Sequence, residues 1–173
     1  MDIFLPDIYQ KSIYTIDYEK LKRAGINCLV FGLNNTIAPY NVKTPTKKTR
    51  DLFEQLKDLN FKIIILSNAS KKRVEPFKEL LNVDSAYHSF KPLKKKYNKI
   101  IQLYGFKDTQ VACIGDQLLV DVLASNRMGF TSILVNPISL IDRGSTKIIS
   151  LLENYIFNYF IRRDQLEKGK YYE

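Results

Sequence analysis

An apolar run, Cys28-Leu29-Val30-Phe31, gives way to Gly32-Leu33-Asn34-Asn35-Thr36. A buried strand ending in a short polar turn is the kind of structure that holds a phosphate. A phosphate-transferring loop of this shape needs two carboxylates, at positions 32 and 34. Positions 32 and 34 offer neither: glycine has no side chain, and asparagine carries an amide. Three more apolar runs end in residues that can do chemistry. Ser67-Asn68 follows FKIIIL, Lys91 follows SAYHSF, and Gly115-Asp116 follows TQVACI, with Asp121 about one helical turn further on. Each is ordinary by itself; their order along the chain is specific.

These residues need a scaffold to bring them together. INCLVFGL, FKIIILSN, SAYHSF, TQVACIGD and FTSILVN read as five strands, the third weak. Helical patterns lie between them. TPTKKTRDLFEQLKDLN has Thr44 or Thr46 as its N-cap and Leu52, Phe53, Leu56 and Leu59 on one face. KKRVEPFKELLN, PLKKKYNKIIQLYG (Pro92 in its first turn) and QLLVDVLASNRMG follow, and a short helix from near Asp17 to Gly25 comes before the first strand. Continuous apolar strands alternating with helices predict an α/β fold. It is a three-layer, Rossmann-like fold with a parallel sheet of about five strands, covered on both faces. Ligands of such sheets sit at the carboxyl ends of the strands. There the hydroxyl, the amides, the lysine and the two carboxylates would converge.

This arrangement resembles the haloacid dehalogenase superfamily of phosphohydrolases over about residues 26–136. The family's first motif, strand-Asp-x-Asp-x-Thr, stands here as Phe31-Gly32-Leu33-Asn34-Asn35-Thr36. Its Ser/Thr, Lys and acidic-pair motifs match Ser67, Lys91, and Asp116 with Asp121. More narrowly, LPDIYQKSIYTIDYEKLKRAGI, LSNASKKRV, KPLKKKYNK and IGDQLLVDVLASNRMG resemble the YqeG family of subclass IIIA, related to phosphatidylglycerophosphate phosphatases. That extends the match to nearly the whole chain. The resemblance implies that Ser67, Asn68 and Lys91 hold a phosphate. It implies that Asp116 binds Mg²⁺, joined by the backbone carbonyl of Asn34, with Asp121 orienting the ion from behind.

The sequence departs from the family at the nucleophile position, Gly32, and at the acid/base position, Asn34. Glycine can neither form an aspartyl-phosphate nor give Mg²⁺ a carboxylate. Losing a general acid/base costs roughly 10²–10⁴ in rate, and losing a covalent nucleophile about 10⁶. The expectation is a phosphatase-fold protein with little or no turnover that still binds phosphate and, weakly, Mg²⁺. Thr36 is close but lacks an evident base, and His88, the single histidine, is a minor candidate. The alternative is an active Mg²⁺-dependent phosphatase with an unorthodox nucleophile, acting on a bulky or lipid-linked phosphate. A second is a basic module for nucleic acid or a ribonucleoprotein, which lacks any recognised nucleic-acid motif.

The stretch Asn34–Pro45 is too short for a cap domain and Phe90–Gln110 is taken up by a single helix, so the site is expected to be open. The net charge of +9, with lysine clusters at 47–48, 71–72 and 94–96, suits solvated helix faces or an anionic partner. Cys28 and Cys113 read as core residues. MDIFLPDIYQ lacks a basic start followed by an apolar stretch, so a cytoplasmic location is expected, or a peripheral one at the membrane. The expected division is a core of residues 1–144 and a C-terminal amphipathic helix within 145–173. Residues 145–163 would pack on the core, on a second copy in a homo-oligomer, or on a membrane surface.

Overall fold

The computed structural model describes residues 1–139 and 147–173. Its strands are β1 (Ile8–Gln10), β2 (Cys28–Phe31), β3 (Lys62–Leu66), β4 (Asp84–Ala86), β5 (Val111–Gly115) and β6 (Thr131–Val135). Among the described residues they form one parallel sheet in the order β1-β6-β5-β2-β3-β4. The helices are α1 (Tyr18–Arg23), α2 (Lys47–Asp58), α3 (Lys71–Leu81), α4 (Lys95–Tyr104), α5 (Leu123–Met128) and α6 (Lys147–Ile161). One π-helical turn, Leu118–Val122, leads into α5.

The alternation of side chains along a strand builds two cores. On one face Leu29, Phe31, Ile63 and Ile65 pack with Phe53 of α2 and Phe77 of α3. On the other, Cys28, Val30, Ile64 and Cys113 pack with Tyr97 and Ile100 of α4. A third cluster joins Leu134 to Leu118, Val122, and Ile156 and Phe160 of α6. Strands buried on both faces have no room for alternating polar residues, hence the unbroken apolar runs. Asp17 caps α1 by accepting from the Lys20 N–H, and Thr46, not Thr44, caps α2 by accepting from the Thr49 N–H.

The sheet has six strands, not about five. The extra strand, β1, is three residues long, too short for a periodic pattern to show. Distant contacts hold it. Its Tyr9 exchanges two 2.9 Å main-chain hydrogen bonds with Tyr172 of the C-terminal tail. Asp7 brackets Ser132 at the start of β6, accepting from its N–H at 2.7 Å. The helix expected to start with Pro92 starts at Lys95, because residues 91–94 turn instead. No cap domain interrupts the described chain. Helix α6 forms as expected, but the expected boundary at 144/145 lies outside the described residues. Among the described residues no helix is long and apolar enough to cross a membrane.

Candidate active site

The cleft lies at the carboxyl ends of the central strands, where parallel strands end and helices begin. Gly32 extends β2, its N–H donating to the Ile114 carbonyl at 2.8 Å. The chain then folds back tightly: Asn35 takes a left-handed conformation (φ 59°), and its N–H donates to the Ala38 carbonyl at 2.8 Å. This turn buries Thr36, whose hydroxyl donates to the Asp116 carboxylate at 3.0 Å. A side-chain carbon placed on Gly32 would lie 3.0 Å from Thr36 Oγ1 and 3.6 Å from both the Ile114 carbonyl oxygen and Lys91 Nζ. Position 32 is therefore framed by a hydroxyl and an ammonium.

Asn34 is not free to move. Its side-chain oxygen accepts from Arg73 Nε at 2.9 Å. Arg73 also donates Nη2 to the Pro39 carbonyl at 2.9 Å and Nη1 to the Val42 carbonyl, and its guanidinium lies over the Phe77 ring. Partial burial pulls the Arg73 pKa down. Sequence reasoning missed this residue. The only signal was an arginine one turn into the helix that follows Ser67-Asn68.

Ser67 is buried at the end of β3 and accepts the Ala69 N–H at 3.1 Å. The Asn68 amide is already engaged: its oxygen accepts the Lys91 N–H at 2.7 Å and its nitrogen donates to the Lys91 carbonyl at 3.3 Å. The side chain of Asn68 therefore holds the Lys91 loop in place, and its main-chain N–H is the group left for a ligand. Among the described residues the main-chain N–H groups of Leu33, Asn34 and Asn68 meet no protein acceptor. Lys91 reaches inward to Asp121, Nζ to Oδ1 2.5 Å, with both side chains buried. Asp121 also accepts the Gln117 N–H at 3.2 Å. It can lie against β5 because Gly115 has no side chain: a Cβ there would stand 2.1 Å from Asp121 Cγ.

Asp116 has a different environment. Burial, then the neighbouring Asp121 charge, pushes its carboxyl up to about 7, against the opposing pull of Thr36 and Lys91. A carboxylate destabilised in this way favours a cation. The residues fit a weakly held Mg²⁺ in part: Asp116 supplies one carboxylate and Asn34 a carbonyl, while Gly32 supplies nothing. Among the described residues no group of three or more His, Cys, Asp and Glu is placed to hold a metal.

Gly32, Asn34, Ser67, Asn68, Lys91, Asp116 and Asp121 all line one cleft of about 250 Å³, joined by Tyr40. His88 does not: it is exposed and packs its ring edge-on against Tyr87. A second cavity of about 400 Å³ adjoins the cleft at Asp116, between the end of β6 and α6.

A family model of haloacid dehalogenase-like hydrolases matches residues 7–129. The chain is 33% identical over 164 residues to the probable phosphatase YqeG of Bacillus subtilis, covering 95% of each protein. It is 25% identical over 145 residues to phosphatidylglycerophosphate phosphatase 1, chloroplastic/mitochondrial, of Arabidopsis thaliana, covering 78% of this chain and 41% of that one. Among solved structures, a hypothetical protein from Xanthomonas campestris superposes with a TM-score of 0.56 at 13% identity, over 89% of this chain and 97% of that one. The cobalt-bound deoxy-D-mannose-octulosonate 8-phosphate phosphatase of Haemophilus influenzae does so with 0.53 at 12% identity, over 79% and 90%. The two structures share the fold.

Proposed function

The chain belongs to the haloacid dehalogenase-like hydrolase family, and from that premise we propose that its cleft binds a phosphomonoester with little or no hydrolysis. The observation that carries this reading is a phosphate cradle around an empty nucleophile position. The N–H groups of Leu33, Asn34 and Asn68, the Ser67 hydroxyl and the Lys91 ammonium are donors for phosphate oxygens. The amino end of α3 adds positive potential. At Gly32 no atom can attack phosphorus. At Asn34 the amide is held by Arg73 and cannot shuttle a proton to the leaving oxygen. When bound by Asp116 and the Asn34 carbonyl, Mg²⁺ would supply charge neutralisation for the phosphate oxygens. Among the described residues no cap covers the cleft, which suits a phosphate on something bulky. The named activity of the Arabidopsis relative supports a lipid-linked phosphate.

Hydrolysis of an aryl phosphate with Mg²⁺ tests the reading. The protein should be silent, and Gly32→Asp/Asn34→Asp should turn over, with Asp116→Ala abolishing the gain. Inorganic phosphate should bind the unaltered protein in calorimetry, and Lys91→Ala should weaken it; equal binding by both would remove the reading. A second reading rests on the Thr36–Asp116 hydrogen bond. Contrary to the sequence-based expectation, the Thr36 hydroxyl has a carboxylate partner that could take its proton. Turnover by the unaltered protein, lost in Thr36→Val, would favour an active phosphatase.

A further inference from the structure

Several exposed apolar residues lie beside the cleft and the cavity that adjoins it. Phe90 and Leu93 flank Lys91 and are 67% and 57% exposed. On α6, Leu151 and Tyr155, one turn apart on the outward face, are 68% and 66% exposed and neighbour Asn154, which lines the cavity that adjoins the cleft. Tyr40 and Ile138, also exposed, line the cleft and that cavity directly. The backbone holds Phe90 in a left-handed conformation (φ 54°), unfavourable for a bulky residue, with its ring left in water.

The loops after β2, β3 and β4 carry charge of one sign, and the carboxylates of the cleft, the half-buried Asp116 and the buried Asp121, lie beneath them. Residues 32–50, 67–74 and 87–107, which carry the loops after β2, β3 and β4, contain no Asp or Glu. They hold Lys43, Lys71, Lys72, Lys94 and Lys95 among other cations. In α6 the single acidic residue, Glu153, is buried. An apolar rim on an unscreened cationic edge is complementary to an anionic lipid surface, which takes rings and aliphatic chains into its interface and lysines at its headgroups. A nucleic acid would match the lysines but leave the aliphatic chains in water. A second copy placed symmetrically would oppose lysines to lysines.

We propose that this edge is a docking surface for anionic membranes. It presents the cleft to phosphate carried on a lipid headgroup. The inference rests on the phosphate-cleft reading for what the docked edge presents, but docking itself needs no occupied cleft. The two can therefore fail separately.

The test is sedimentation with vesicles of phosphatidylcholine plus phosphatidylglycerol, and of phosphatidylcholine alone. The full chain should pellet with the anionic vesicles only and be released as salt shortens the reach of its charges. Phe90→Ser/Leu93→Ser and Leu151→Ser/Tyr155→Ser should each lower partitioning by roughly tenfold, from the lost apolar contact. Their melting temperatures and inorganic-phosphate affinity should not change, because these side chains are exposed and outside the cleft. Absence from the pellet would overturn the proposal, as would partitioning indifferent to both variants. So would a solution dimer that the same variants dissociate, or release by RNA with no effect of the serine substitutions.

Discussion

Replacing Gly115 by alanine gives the sharpest test of how the site is built. Gly115 needs no positive φ, so the backbone itself would accept alanine. The obstacle is Asp121, whose Cγ would lie 2.1 Å and whose Cβ 2.3 Å from the new methyl group. Carbon atoms do not approach so closely, and the carboxylate must retreat by well over an ångström. It is then drawn away from Lys91, now 2.5 Å from it, with the two side chains only 7% and 9% exposed. Breaking a buried pair while leaving its charges buried costs about 3–5 kcal/mol. With a urea dependence of roughly 2 kcal/mol/M for a domain of this size, the midpoint should fall by about 1.5–2.5 M, with the slope unchanged. Lys91→Met should cost a similar amount. The double variant should lose less than the two losses combined, with a coupling of about 0.5–3 kcal/mol, because both act on one ion pair. A midpoint shift under roughly 0.3 M for Gly115→Ala would refute the reasoning. So would simple additivity, since the carboxylate would then not be what connects the two positions.

Two more outcomes follow from the same structure. Burial pushes the Cys28 thiol up to about 12 and the Cys113 thiol higher still, so at pH 8 neither forms thiolate in the native protein. A disulfide-exchange reagent should label neither cysteine until denaturant is added, and then both; fast labelling of the native protein would contradict their core placement. Arg73→Met removes the donors that tie Asn34 to the Pro39 and Val42 carbonyls, and should cost about 1.5–3 kcal/mol. Hydrogen exchange should quicken across residues 34–42 while the β2 core stays protected. Unchanged exchange in that loop would show that Arg73 does not anchor it.

Much of the fold was legible because its rules are local. The central strands are unbroken apolar runs, and the helices carry amphipathic patterns with recognisable caps. Parallel strands then require crossovers, and crossovers put the loops after β2, β3, β4 and β5 at one edge. The candidate residues could therefore be named together from the sequence alone, and the absence of carboxylates at Gly32 and Asn34 needed no structure at all. Strand β1 was not legible. Three residues carry no period, and its partners, β6 and Tyr172, come from the far part of the chain.

What only the tertiary structure decided is which groups are already engaged. The family resemblance implies that Lys91 and Asn68 hold a phosphate; packing also pairs Lys91 with Asp121 and turns the Asn68 amide onto the Lys91 main chain. It also brings Arg73 onto Asn34, 39 positions away, and Thr36 onto Asp116, 80 positions away. Hydrogen bonds of that separation leave no trace in local composition. They depend on two strands lying side by side, on a missing Cβ at Gly115, and on a turn tight enough to bury Thr36. The sequence by itself determined which chemistry is missing from the loop after β2; the packing of distant residues decided what the remaining groups hold.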